Sequence, residues 1–467
     1  MMRTLIDPPM VQWEVADLAG RHADDRTAVA RRVNAHADRL GSGILPDPAG
    51  RIIATGHQAW LWHPGILAKD MAMIEACERF GASPLHLVVD QDTHEALTLE
   101  LPRQADRRIE VRTVRLASHR VDLPTGAQPP ADAEAIRAKL QALGDERVAP
   151  IAEAFTDLPT CRTLAEQLAV VTVRLMRPWL GDDGPSVPVL FVSDLPSLPG
   201  YAALVERMVD DARRCVRAYN VAVRAESERG DPGVAELVEL RELVELPLWA
   251  VRWGRPRGRM FVDLADSEPW LVDETGERVD REAVALLPRA LLLTAVMRSL
   301  ACDLFIHGKG GGVYDRVMER WWKTWRGEPL ASRAVVSADL RLPFADVPVA
   351  DEATWARAVW FRHYVPHNVD RVLGVDGPAV QRKRGLLAQM DDDRDRKRRR
   401  RAFEQLHAIN ADLLDQHPDL LVEADRQLDD ARQGLLNARL ASRRDWSFPI
   451  YPPRCLQALR TTVAGQA

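Results

Sequence analysis

Arg51-Ile52-Ile53-Ala54-Thr55-Gly56-His57-Gln58-Ala59 begins as an apolar run and ends in polar residues around a glycine. Residues at helical spacing follow it, which predicts a strand, a tight turn and a helix in that order. Open α/β folds bind ligands at the carboxyl ends of such strands. Neither the G-x-G-x-x-G dinucleotide motif nor a G-K-[ST] phosphate loop occurs here, so the stretch predicts a ligand site of another kind.

Two later segments also run from apolar residues into a polar turn. Leu85–Val89 leads into Asp90-Gln91-Asp92-Thr93-His94-Glu95, and Leu304–Ile306 leads into His307-Gly308-Lys309-Gly310-Gly311-Gly312. The carboxyl ends of parallel strands lie on one side of a sheet. We therefore expect side chains of His57, His94 and Lys309 to line a single concavity.

The polar residues of these turns allow several chemistries. Asp92, His94 and Glu95 could act as an acid and base pair, and the D-x-D spacing of Asp90 and Asp92 could instead hold Mg²⁺. The glycine run could bind a carboxylate or phosphate through backbone N–H groups, with Lys309 supplying a charge. The alternatives are a solvated loop at 90–95 and glycines that only turn the chain.

These motifs together resemble the cysteine-adding enzymes of bacillithiol biosynthesis (the BshC family). Thr55 to Ala59 is similar to that family's T-G-Q-Q-A turn, Asp92 to Glu95 to its E-D-H-D run, and Leu291 to Gly311 to its L-R-P-L helix and G-G-P-G-E turn. The order and rough spacing agree over most of the chain. The chain departs from the pattern at four positions, which are His57, Thr93, Lys309 and Gly311.

The resemblance implies an amide-forming ligase that joins cysteine, or a related amino acid, to the amine of a glucosaminyl-malate-type acceptor. ATP or ADP is the implied cofactor, with Mg²⁺ undecided and no protein-bound metal expected. The implied catalytic residues are His57, Asp92, His94 and Glu95. The implied substrate-binding residues are Thr55, Gly56, Gln58, Gly308, Lys309, Gly310 and Tyr314.

Bulk composition excludes some classes of protein. The net charge of −5 and a pI near 6.2 give no general attraction to nucleic acid or membranes. The five cysteines are widely spaced and form no C-x-x-C pair, which favours reduced thiols in a cytoplasmic protein. Apolar runs are far shorter than the ~18 residues of a membrane span. We expect small-molecule substrates and no membrane association.

Alternating strand and helix signals predict an α/β fold with a Rossmann-like core and insertions over residues 1–374. Residues 375–446 predict a helical coiled-coil arm, because apolar residues recur three and four apart at Leu421, Ala424, Leu428, Ala431, Leu435 and Ala438. We expect two long helices broken near Pro418 and, as the resemblance also implies, a homodimer formed through the arm. Residues 447–467 are expected to pack on the core.

Two further features are better explained by structure than by ligand binding. Trp321, Trp322 and Trp325 lie at helical spacing and predict core packing. The basic run Arg394–Arg401 follows aspartates at pairing distance on a helix, which favours a solvated helix surface over nucleic-acid binding. Two other functions remain open: nucleotidyl transfer to another small acid, and a noncatalytic coiled-coil scaffold or polyanion binder that uses Lys397 to Arg401.

Overall fold

The computed structural model describes residues 2–17, 20, 22–181, 184–266 and 268–466. The chain divides into two compact units. The first contains residues 1–101, 113–340 and 444–467, and the second contains residues 102–112 and 341–443. The division therefore falls at residue 340, where the sequence placed it at 374. The final segment belongs to the first unit, where its helix packs against the helix after the second strand.

A six-stranded sheet and a four-stranded antiparallel sheet account for most strands. The six-stranded sheet has the order β1-β12-β11-β2-β3-β6, in which β1 is antiparallel to β12 and the other neighbours are parallel. The four-stranded sheet has the order β10-β7-β8-β9. The bounds of the strands are β1 Met2–Asp7, β2 Ile52–Gln58, β3 Ser83–Val89, β4 Thr98–Ala105, β5 Arg108–Arg115, β6 Val189–Phe191, β7 Leu243–Val251, β8 Gly258–Asp263, β9 Trp270–Asp273, β10 Ala285–Pro288, β11 Leu304–His307 and β12 Ser332–Leu340.

Helices accompany the sheets of the first unit, so the chain is a mixed α/β protein with a parallel-containing sheet. They are α1 Ala23–Leu40, α2 Pro64–Phe80, α3 Ala133–Gln141, α4 Ala149–Ala154, α5 Leu164–Met176, α6 Pro199–Asp210, α7 Ala212–Ser227, α8 Ala290–Val296, α9 Lys309–Trp325 and α15 Pro453–Ala464. Among the described residues, no helix is long and apolar enough to cross a bilayer.

The pairing of β2 with β11 and β3 positions the polar turns that follow these strands. Thr55 of β2 pairs with Ile306 of β11 and with His86 of β3. The Thr55 hydroxyl donates to the carbonyl oxygen of Ile306 at 2.9 Å, which ties β2 to β11. A Cβ on the next residue, Gly56, would lie 2.6 Å from the carbonyl oxygen of Leu87. Glycine at this position therefore lets two strands approach closely just before they end.

Helix α9 buries one face and opens with glycines. Val317, Met318, Trp321, Trp322 and Trp325 are all buried, which confirms the prediction that this aromatic group is core. The rings of Trp321 and Trp325 stack at 5.6 Å, and the Trp321 indole donates to the carbonyl oxygen of Cys215. Burial of each such side chain stabilises the fold by ~2–3 kcal/mol, which fixes the start of α9 relative to the sheet.

The second unit is helical. Its helices are α10 Glu352–Tyr364, α11 Val369–Leu373, α12 Pro378–Asp392, α13 Arg396–Asp415 and α14 Asp419–Ser442. The break near Pro418 is confirmed, but the single helix expected upstream of it is wrong. Asp393, Arg394 and Asp395 separate α12 from α13, because the Asp395 carboxylate caps a new helix by accepting from the Lys397 and Arg398 amides.

The apolar seam of α14 faces α10. Ala424 and Ala431 are buried, whereas Leu421, Leu428 and Leu435 are only half-buried. Helices α12 and α13 pack on each other, and α10 packs on α14. The helical pairing therefore includes α10, which lies before the residue 375 at which the sequence placed the start of the arm.

Candidate functional site

A cavity of about 590 Å³ opens in the first unit beside the ends of β2 and β11 and the starts of α2, α8 and α9. Its walls come from both sheets. Eight of the residues expected from the sequence line it, namely Gly56, His57, Gln58, Asp92, Gly308, Lys309, Gly310 and Tyr314. The cavity thus brings together parts of all three polar turns.

Three expected site residues lie elsewhere in the described chain. His94 and Glu95 are outside the cavity lining, and the His94 ring contacts the Trp60 ring at 5.6 Å and the carbonyl oxygen of Ala59 at 3.2 Å. Glu95 faces His119 at 3.6 Å. Thr55 is buried between strands, where its hydroxyl already has a partner. The turn after β3 bends away beyond Asp92, so the expected convergence of His57, His94 and Lys309 holds for two of them.

Asp92 is held by two neighbours at the cavity wall. One carboxylate oxygen accepts from the Gln58 side chain at 2.9 Å, and the other accepts from Arg257 at 2.6 Å. Arg257 lies in the turn between β7 and β8 and also donates to the carbonyl oxygen of Gln91. Because both of its oxygens already accept hydrogen bonds, this carboxylate orients the wall of the cavity more readily than it transfers protons.

Lys69 is a cavity residue that sequence reasoning missed. It lies on α2, only 3% of it is exposed, and its ammonium group donates to the carbonyl oxygen of Gly56 at 2.5 Å. Burial lowers the pKa of Lys69 to about 8, because a charged amine loses solvation there. Its position six residues into α2 carries no motif, so only the fold reveals it.

Three imidazoles line the same cavity, from His57, His63 and His307. Burial, reinforced by the charge of Lys69, lowers the pKa of His57 well below its usual value. Burial lowers the pKa of His63 to about 4, with Arg444 and Lys69 adding to the effect. The pKa of His307 is also lowered by burial, although Asp315 at 3.4 Å opposes it. All three rings are therefore neutral at pH 7.

His63 also has a structural role. Its Nδ1 accepts from the Gly65 amide at 3.0 Å, which caps the start of α2. A Cβ on Gly65 would lie 2.7 Å from the carbonyl oxygen of Ala338 and 2.9 Å from the His63 ring. Gly311 is similarly constrained, because a Cβ there would lie 2.5 Å from Nδ1 of His307. The glycines thus allow two imidazoles to pack against helix starts.

Positive side chains outnumber carboxylates in the lining. Arg257 and Arg289 both lie over the Trp249 ring, at 4.3 and 4.7 Å from its centre, and Arg289 also pairs with Glu245 at 2.6 Å. Lys309 and Arg444 share Asp339, at 3.1 and 2.5 Å. No sequence motif marks Arg257 or Arg289 as a residue of this cavity. With Lys69, the lining holds five cationic groups and one carboxylate, Asp92.

Helix starts add to this positive potential. The long helices α2 and α9 both begin at the cavity, and Gly308 to Gly311 of α9 line it. The first N–H groups of a helix lack intrahelical partners and carry partial positive charge. The arrangement therefore suits a carboxylate or phosphate group. Among the described residues, no group of three His, Cys, Asp or Glu side chains is placed to hold a metal ion.

The chain was compared with protein-family models and with curated proteins. No protein-family model matches the chain, and no curated protein matches its sequence. The resemblance to the BshC family therefore rests on the motifs alone and remains a prediction.

Proposed function

We propose that the protein is an enzyme that binds a small anionic substrate in the central cavity and forms an amide bond at an amine. The observation that carries the anion-binding part is the grouping of five cationic side chains and the start of α9 around one cavity. The amide-forming part comes from the resemblance to the BshC family. In that proposal the acceptor is a glucosaminyl-malate-type compound and the donor is cysteine or a related amino acid.

Amide formation requires an activated carboxyl group, and a nucleotide such as ATP would supply that activation. The residues present fit its phosphates: Lys309, Arg444 and the amides at the start of α9 would hold them. A carboxylate cage for Mg²⁺ has weaker support, because Asp92 in the lining already accepts from Arg257 and Gln58. Any Mg²⁺ would then depend on oxygens of the substrate.

Residues of the cavity could assist the attack of the amine and stabilise the charge that develops on the carbonyl oxygen. An attacking amine must lose a proton, and the neutral imidazoles of His57 and His63 can accept a hydrogen bond from that amine and orient it. Negative charge that develops on the carbonyl oxygen would be stabilised by the cations already in place. His94 and Glu95 take no part in this proposal, since they lie outside the cavity lining.

A product screen tests the proposal. The full chain is incubated with ATP, a panel of amino acids and a panel of acidic aminosugars, and condensed products are sought by mass spectrometry. We expect an amide product with one amino acid and one acidic acceptor, and none with the Lys309→Met, Arg444→Met double variant. A nucleotidyl-transfer enzyme would instead release pyrophosphate without condensation, which would contradict amide formation while leaving the cavity as the site.

The proposal extends to architecture and assembly. The parallel order β12-β11-β2-β3-β6 supports the interpretation of the first unit as a Rossmann-like core. Exposed apolar side chains on α14, Val422 and Leu436, support a homodimer formed through the helical unit. Light scattering on the full chain tests this, since a monomer at micromolar concentration would contradict it.

A second candidate function is polyanion binding through α13. Arg396, Lys397 and Arg401 are exposed and make no ion pair with another described residue, whereas Arg398 pairs with Asp393 and Arg400 with Glu404. This function predicts binding to heparin that weakens steeply with salt and is unchanged by substitutions in the cavity. Retention of binding by an Arg396→Gln, Lys397→Gln, Arg401→Gln variant would contradict it.

A further inference from the structure

Lys69 occupies an unusual place in the cavity. Its amine lies among the three neutral imidazoles, and its charge contributes to the lowered pKa of each of them. Its side chain also runs beside Gly308, where a Cβ would lie 4.0 Å from the Lys69 Cδ. Asp70, the next residue, points instead to His86, with which it forms a buried pair at 2.7 Å. Among the described residues Lys69 forms no ion pair with a carboxylate, and the charge of Asp70 only partly opposes the effect of burial on its pKa.

The cavity places this amine beside groups that bind acids. Lys309 and Arg444 lie in the same lining, as do Gly310 and Gly311, whose backbone amides belong to the first turn of α9. A carboxylate bound at this turn lies next to Lys69, because a Cβ on Gly308 would lie 4.0 Å from the Lys69 Cδ. The carbon bonded to that carboxylate can then face the Lys69 amine. An oxo acid carries a carbonyl carbon at that position.

We propose that Lys69 is a nucleophile that forms an imine with the carbonyl group of a small oxo acid bound in this cavity. This activity goes beyond the amide formation proposed above and rests only on its anion-binding part. The neutral Nζ amine adds to the carbonyl carbon and gives a carbinolamine. One of the two amine protons moves to the carbonyl oxygen as the carbinolamine forms, and the hydroxyl group then leaves with the second nitrogen proton as one water molecule, which leaves a C=N bond. No oxidant or reductant is needed.

The fraction of neutral amine favours Lys69 over ordinary lysines. With the pKa of Lys69 at about 8, roughly a quarter of its amine is neutral at pH 7.5. An exposed lysine with a pKa near 10.4 is neutral to about 0.1% at that pH. The ratio is on the order of 200-fold, and a lower intrinsic nucleophilicity of the less basic amine reduces it to about tenfold or more.

The small number of lysines makes a direct test possible. The chain has six, Lys69, Lys139, Lys309, Lys323, Lys383 and Lys397. The full-length protein is treated with glyoxylate and cyanoborohydride at pH 7.5, and the carboxymethylated lysines are mapped by mass spectrometry. We expect Lys69 to be labelled at least tenfold faster than the exposed Lys139 and Lys323. Lys383 is the matched control, because it is buried but pairs with Asp370 at 2.7 Å.

Two further experiments distinguish imine formation at Lys69 from anion binding in the cavity. Sulfate should slow the labelling of Lys69 by glyoxylate, but not its labelling by the neutral aldehyde propanal. A Lys69→Arg variant keeps the charge and should bind sulfate while losing the labelled peptide. Labelling confined to the exposed lysines, with sulfate still bound, would overturn the imine proposal and leave the anion site intact. Labelling at equal rates across all six lysines would overturn it as well.

Discussion

Lys69 is a charged group whose protonation changes close to neutral pH. Because its folded pKa is about 8, its positive charge is present at pH 7 and lost as pH rises through that value. We predict that affinity for sulfate, whose own charge is constant over this range, falls about tenfold between pH 7 and 9. Isothermal titration calorimetry measures this. Lys69→Met should bind more weakly at pH 7 and show little change with pH, and parallel pH curves for both proteins would refute the assignment.

Lys309 and Lys323 provide a matched comparison on one helix. Both are exposed residues of α9, but only Lys309 lines the cavity. We predict that Lys309→Met weakens sulfate binding about five- to tenfold, the scale of one partly screened charge, because Arg444 then neutralises Asp339 alone. Lys323→Met should stay within twofold of the unaltered chain. Equal effects of the two substitutions would show that the cavity has no local anion site.

At the scale of single elements, Asn437 of α14 explains why a distant hairpin belongs to the helical unit. Its side chain accepts from the Ile109 amide at 3.0 Å and donates to the carbonyl oxygens of Arg107 and Pro348 at 2.9 and 2.8 Å. The turn between β4 and β5 is thereby bound to α14. A buried asparagine on a helix does not contribute to hydrophobic periodicity, so sequence patterns do not predict this contact.

We predict that Asn437→Ala destabilises this contact by about 2–3 kcal/mol, because buried backbone groups lose their partners. Hydrogen exchange of the Ile109 amide is the local measurement and should speed up by about 30- to 160-fold, the same free energy expressed as a rate. Gln427→Ala is the control. Gln427 lies on the same helix, and its side chain donates to the solvent-facing carboxylate of Glu423, the one partner it has among the described residues. Unchanged protection of Ile109 would contradict the assignment.

Elements with strong periodicity were predictable, and their interruptions were not. The tryptophan face of α9 and the break at Pro418 follow from residue spacing and proline geometry. The break at Asp393 was missed because aspartates can lie within a helix as well as cap one. The cap forms here because Asp395 meets the free amides of Lys397 and Arg398.

At the scale of the whole chain, the sequence located the strand ends that form the cavity but not the residues that complete it. Gly56, His57 and Lys309 stand directly after apolar runs, so their position at a sheet edge could be inferred. Lys69, Arg289 and Arg444 come from a helix interior, a helix cap and a loop, and only tertiary packing brings them in. His94 was misplaced because the turn after β3 bends away from the cavity between Asp92 and His94.

The neutral histidines have a consequence for the stability of the whole molecule. The pKa values of His57, His63 and His307 are lowered in the folded chain, and those of His94 and His367 are lowered too. Below pH 6.5 the unfolded chain therefore binds protons that the folded chain excludes. Each of the buried imidazoles lowers the free energy of unfolding by up to about 1.4 kcal/mol per pH unit as pH falls. The exposed His367 contributes less, because solvent screens its neighbours.

Asp90 acts in the opposite direction, since burial raises its pKa to about 7 and its folded carboxyl group therefore takes up a proton at higher pH than the unfolded one. Burial also raises the pKa of Asp25. Two carboxyl groups thus oppose several imidazoles, so we predict that the urea midpoint falls from pH 7 to pH 5 at constant ionic strength. His63→Gln should make this fall shallower, because one proton-linked group is removed while a side chain that can accept from Gly65 remains. A midpoint that stays level or rises toward pH 5 would mean that the imidazoles charge freely, and the cavity would then lack the dry, cationic environment on which its anion binding depends.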